Sequence, residues 1–176
     1  MSRRDKTTNS IMNKVDNTSN MIKEISDNLV ENCCEELDTI MNELHNLLGS
    51  SKELSTDTIQ NYILYLANTL YFVGSAQEDL GIKEDTCKAI RQEVYSRARE
   101  EATGTVADKT AKAELISQQE TIVLNIYSRA YKKVKLRMDA GYEMLNSLKK
   151  VMNKRITEME LSNSRYINHR RESNGI

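Results

Sequence analysis

Five cations fall within one short stretch of the last third of the chain: Arg129, Lys132, Lys133, Lys135 and Arg137. On a helix, Arg129, Lys132, Lys133 and Arg137 recur at three- and four-residue steps and so share a stripe. Tyr127 and Tyr131 stand among them. Lysine and arginine neutralise phosphates and release their counterions, while aromatic faces stack on unpaired bases. This is the combination needed for sequence-tolerant capture of a single strand. Further cations follow at Lys149, Lys150, Lys154 and Arg155, then at Arg165, Arg170 and Arg171.

The charge of the whole chain is split accordingly. Residues 1–127 carry 13 Lys+Arg against 21 Asp+Glu, and residues 128–176 carry 12 against 5, so a formal net charge of −1 conceals a dipolar sequence. A cationic segment of this length attracts polyanions. The same cations could instead pair with acids of the N-terminal helix, Glu24, Asp27, Glu31, Glu35, Glu36, Asp38 and Glu43, within an oligomer, or simply cover a solvated face.

Other chemistries find little support. His45 and His169 are the only histidines and lie far apart, without thiols or carboxylates at ligand spacing, so no metal site is expected. There is no GxSxG elbow and no phosphate-cradling glycine loop. Asp108 and Glu114, six residues apart, fall on different faces of a helix. The expectation is a protein without catalytic residues or cofactor. Cys33 and Cys34 are adjacent and Cys87 is remote, which reads as free thiols of a reducing cytoplasm rather than a disulfide framework. The basic N-terminus lacks the apolar core of a secretion signal, and no run approaches the ~20 apolar residues of a membrane span.

The elements that must position these residues are all helical. The chain has no proline, six glycines and only nine aromatic residues, eight Tyr and Phe72. Without proline, long uninterrupted helices are permitted. The moderate apolar content, 39%, suits an elongated amphipathic bundle that buries part of itself against copies. Ile11, Val15, Thr18, Ile22, Ile25, Leu29, Cys33, Leu37, Ile40, Leu44 and Leu47 form a heptad-like seam with one shift, predicting a coiled-coil-like helix over 10–48, roughly 58 Å long. Ile25, Leu29, Leu37 and Leu44 are its candidate oligomerisation residues.

Ser55-Thr56-Asp57 offers N-caps for a second helix that runs to Leu80 and ends at Gly81. That helix is apolar nearly all round and is expected to be the buried centre. A third helix spans 83–102, Thr103-Gly104-Thr105 breaks it, and Thr105 with Asp108 resembles a capping box. A very long C-terminal helix then covers 106–161, roughly 84 Å, with Gly141 as its weak point. The organisation read from the sequence is an arm over 1–50, a helical core over 51–161, and a loose polar tail over 162–176.

Two segments, YLANTLYFVGSAQEDLGIKEDTCKAIRQEVYSRAREEATGTVADKTAKAE and IYSRAYKKVKLRMDAGYEMLNSLKKVMNKRITEME, resemble phage-encoded helical recombination mediators of the UvsY type. The likeness covers residues 61–160 and lies in helix order and residue character; the N-terminal arm is not part of it. It implies a cytoplasmic ring-like homo-oligomer. It also implies binding to single-stranded DNA and help in loading a recombinase onto strands covered by single-strand-binding protein. By position, it places the DNA-facing cations at Lys109 and Lys112, with Arg91, Arg97 and Arg99 before them, a choice that competes with Arg129–Arg137. The alternative is a helical structural, scaffold or inhibitor protein that docks through its arm without nucleic acid.

Overall fold

The computed structural model describes the backbone of residues 3–50 and 54–173, and the side chains of 10–50 and 54–164. Four helices make up the fold, α1 Arg3–Gly49, α2 Thr56–Glu101, α3 Val106–Ile116 and α4 Gln118–Ser173, with no strand among the described residues. The protein is all-α, as the missing prolines and the helical periodicity require.

Local chemistry explains most helix ends. Ser55 caps α2, its hydroxyl accepting from the Thr58 amide at 3.0 Å. The expected capping box at α3 is present: the Asp108 amide donates to the Thr105 hydroxyl, and the Thr105 amide donates to the Asp108 carboxylate. The Thr105 hydroxyl also donates to that carboxylate at 2.7 Å, and this bond, with the one from the Thr105 amide, holds the Asp108 carboxyl below its ordinary range. Gly104, at φ 113°, supplies the left-handed turn between α2 and α3, a conformation that side chains with a Cβ resist.

Three boundaries differ from expectation. Gly81 does not end a helix; α2 runs through it from Thr56 to Glu101. A Cβ at Gly81 would lie 3.3 Å from the Tyr131 ring, so the glycine serves close packing instead. The long C-terminal helix is interrupted at Ser117, giving α3 and α4, and α4 continues through Gly141. Ser117 is fully buried, its amide donates to the Ala113 carbonyl, and its own carbonyl accepts from both the amide and the hydroxyl of Thr121. These bonds satisfy the backbone groups that the break would otherwise orphan. Finally, residues 162–173 of the expected tail continue α4, while 174–176 lie outside the described residues.

The helices contribute to two compact units. The first comprises residues 1–35 and 73–136, the second 36–72 and 137–176. In the first, Ser26, Val30 and Cys34 of α1 face a core that includes Val73, Leu80, Ile126, Ala130 and Val134. The buried stripe here is offset by one residue from the predicted seam, which held Cys33 in place of Cys34. Alanines at 98, 102, 113 and 130 are buried and, lacking bulk, allow close helix approach.

In the second unit Leu37, Ile40 and Leu44 of α1 are fully buried with Ile59, Leu66 and Leu70 of α2 and with Leu145 and Leu148 of α4. Each such side chain contributes roughly 1.5–3 kcal/mol by leaving water. Gly141 belongs to this core: a Cβ there would meet Leu70 Cδ2 at 2.9 Å and Leu37 Cδ1 at 3.2 Å. The expectation that α2 is buried all round fails in this unit. Leu64, Tyr65, Tyr71 and Phe72 are exposed while Ile59, Leu66 and Leu70 are not, because only one stripe of a helix can face a two-helix neighbourhood.

Candidate nucleic-acid interface

The basic stripe of α4 divides into cations that are paired and cations that are open. Lys133 pairs with Asp27 of α1 in the first unit. Arg137 pairs with Asp38, at 3.0 Å, in the second. Both acids belong to the acidic set on the N-terminal helix, and at these two positions the pairing is made within one chain, where the expectation was pairing within an oligomer. Arg129, Lys132 and Lys135 are exposed, and no carboxylate among the described residues lies within 4.0 Å of them. The division follows helical geometry: Ala130 and Val134 face the core, Lys133 borders it, and Arg129, Lys132 and Lys135 turn away from it.

The tyrosines of the stripe are engaged inside the first unit. Tyr131 covers Gly81, and the Lys83 ammonium stands 6.0 Å from the Tyr127 ring centre, at the outer limit of a cation–π contact. Both are half-buried, so neither offers an open face for a base.

The cations implied by the family likeness have mixed environments. Arg91 donates through Nε to the Thr121 hydroxyl at 2.7 Å, which ties α2 to the first turn of α4. Arg97 pairs with Glu93 on its own helix at 2.6 Å. Arg99 and Lys112 are exposed and Lys109 is half-exposed, and these three have no carboxylate within 4.0 Å among the described residues. The first unit therefore presents open cations on α4 (Arg129, Lys132, Lys135), on α3 (Lys109, Lys112) and near the end of α2 (Arg99).

The candidate oligomerisation residues do not act together. Leu37 and Leu44 are fully buried in the core of their own chain and are corrected to core residues. Leu29 is half-buried, and Ile25 remains 41% exposed. Sequence periodicity could not separate these, because a stripe that packs on a neighbouring helix of the same chain looks like one that packs on a second copy. Ahead of Ile25, Ile11, Met12 and Val15 are each more than half exposed and extend the unpartnered part of the seam.

A cleft of about 220 Å³ in the first unit is lined by Cys87, Ile90, Gln119, Glu120 and Val123. Its thiol and single carboxylate have no histidine beside them. Cys33, Cys34 and Cys87 are free thiols, and burial pushes the Cys33 thiol up, against a smaller downward pull from Lys83. Among the described residues, no group of three or more His, Cys, Asp or Glu could hold a metal ion. No helix among them is long and apolar enough to cross a membrane. His169, Arg165, Arg170 and Arg171 lie outside the described side chains.

One feature escaped the sequence reading. The Tyr62 hydroxyl donates to Glu43 at 3.1 Å, and burial together with that carboxylate raises its pKa. Tyr65 is raised too, chiefly by hydrogen bonding to Glu36. These contacts place an acidic border beside the exposed aromatic side of α2. The signal available in the sequence was the absence of any charge from Thr58 to Gln77. No protein-family model, curated protein or solved structure matches the chain.

Proposed function

We propose that this chain is a non-catalytic accessory protein of phage DNA metabolism that binds single-stranded DNA and assists the loading of a recombinase. One observation carries the DNA-binding part: Arg129, Lys132 and Lys135 are exposed, with no carboxylate within salt-bridge distance among the described residues. Unpaired, accessible cations are what counterion release requires. Lys109, Lys112 and Arg99 are further open cations of the same unit. The half-buried tyrosines make electrostatics, rather than stacking, the source of affinity. The recombinase-loading role and the single-strand-binding-protein partner rest on the family likeness alone, and the cytoplasmic setting rests on the reading of the cysteines as free thiols.

Fluorescent-oligonucleotide titration over a salt series tests the reading. Three phosphate contacts give a log–log salt slope of about −2 for a single strand. The triple change Arg129→Glu, Lys132→Glu and Lys135→Glu should abolish binding, whereas Lys133→Ala, which removes an already paired cation, should change it little. Absence of binding by the unaltered protein at low salt refutes the proposal.

A second reading has its own support. Ile11, Met12, Val15 and Ile25 form an open apolar stripe on α1, which favours a scaffold or inhibitor that docks a partner helix there. Ile11→Glu with Val15→Glu, both at exposed positions, should then abolish partner capture and leave any oligonucleotide binding intact.

A further inference from the structure

We infer that the outward face of α2 in the second unit is a self-association surface, and that it receives the basic C-terminal part of α4 from a second copy of this chain. The inference does not depend on DNA binding, which uses cations of the first unit.

The face has two properties that seldom occur together on a solvated helix. From Thr58 to Gln77 the chain carries no Asp, Glu, Lys, Arg or His, although 29% of the whole sequence is charged. Within that run Leu64 is 62% exposed, Tyr71 74% and Phe72 59%, with Tyr65 beside them at 46%. Tyr71 and Phe72 meet edge to face at 5.4 Å, a contact that holds both rings in a defined position. The four side chains leave roughly 500 Å² in water, within reach of the ~800 Å² per partner of a standard interface once the amides of Gln60, Asn61 and Asn68 join. A patch of roughly 500 Å² matches the largest apolar patch that a monomer typically exposes, which is often functional.

Charge identifies the occupant. The border beside Tyr65 is acidic, with Glu36 close enough to raise the Tyr65 hydroxyl and Glu43 bonded to Tyr62. A nucleic acid stacked on these rings would bring its phosphates against carboxylates. A helix with apolar residues flanked by cations fits instead, and this chain contains one. On α4, Val151, Ile156 and Met159 are exposed apolar residues, and Lys149, Lys150 and Lys154 are exposed cations around them. The only carboxylate contact in this group among the described residues is Lys154 to Glu158 at 3.8 Å, between exposed side chains, and such a contact yields readily to a better partner. Apolar surface meets apolar surface, and the lysines meet Glu36 and Glu43.

The test is the solution mass of the full chain by light scattering and sedimentation across micromolar concentrations. The unaltered protein should weigh at least twice the 20.2 kDa of one chain. Tyr71→Glu with Phe72→Glu should return it to a single chain, with helical content by circular dichroism unchanged because both residues face solvent. Reversing Glu36 and Glu43 to Lys, or Lys149, Lys150 and Lys154 to Glu, should each weaken association by about tenfold or more. Combining the two reversals should bring it back to within about threefold of the original. A mass of one chain throughout overturns the inference, as does association that survives the aromatic changes. A combined reversal no better than either single one overturns the pairing of these two surfaces. Loss of oligonucleotide binding at unchanged mass in the aromatic variant would reassign the face to base stacking and equally overturn it.

Discussion

Replacing Gly141 with alanine separates two accounts of the same residue. If Gly141 were a weak point in an otherwise free helix, alanine would stabilise the protein by roughly 1 kcal/mol through helix propensity. The structure predicts the opposite. The added Cβ would stand 2.9 Å from Leu70 Cδ2 and 3.2 Å from Leu37 Cδ1, inside the ~3.5–4.0 Å of a relaxed carbon–carbon contact. Leu37 and Leu70 are themselves buried and have no solvent to move into. Overpacking of this kind costs about 1–3 kcal/mol, so after the propensity gain the net loss should be about 0–2 kcal/mol. Gly81→Ala is the internal control. Its nearest neighbour is the half-buried Tyr131 ring at 3.3 Å, which needs to give by only a few tenths of an ångström. That variant should be neutral or stabilised by up to ~1 kcal/mol. Urea denaturation followed by far-ultraviolet circular dichroism measures both, and each kcal/mol should move the thermal midpoint by about 2–4 °C. A Gly141→Ala protein more stable than its parent would refute the packing argument.

Three further outcomes follow from the same geometry. Leu37→Ala should destabilise the fold by about 2–5 kcal/mol in the denaturation assay while leaving oligomer mass unchanged under native conditions, because the residue is spent inside its own chain. Thr105→Ala should cost about 1 kcal/mol through loss of the cap. The Asp108 carboxyl is depressed in the folded state, so its contribution is present above its unfolded pKa and is lost as pH falls through the folded value; an acid titration of stability should lose that component in the Thr105→Ala variant. With Cys34 and Cys87 changed to Ser, modification of Cys33 by a thiol reagent should rise with pH later than that of a free cysteine, because burial opposes the thiolate.

The parts of the fold written in local chemistry were legible in the sequence. The Thr105–Asp108 box, the Ser55 cap and the turn at Gly104 each depend on residues a few positions apart, and all three form as read. What depends on a distant neighbour was not legible. Gly81 resembles a helix stop until Tyr131 is seen lying across it, and Gly141 resembles a weak point until Leu37 and Leu70 surround it. Ser117 carries no strong signal as a break, because its role comes from burial and from the Thr121 and Arg91 bonds around it. The cations of α4 were legible as a run of positions on one helix. Helical spacing alone could not tell Lys133 and Arg137, which meet Asp27 and Asp38, from Arg129, Lys132 and Lys135, which meet no carboxylate among the described residues.

Each compact unit is assembled from two stretches of chain that are far apart in sequence, 1–35 with 73–136 and 36–72 with 137–176. During synthesis at about 5–20 residues per second, the early stretch of each unit waits several seconds for its later counterpart to emerge. Shortening the gene from its 3′ end back to codon 137 strips the second unit of one of its two halves while the first keeps both. Conventional deletion mapping would therefore misattribute activities, and point substitutions are the sounder way to dissect this molecule.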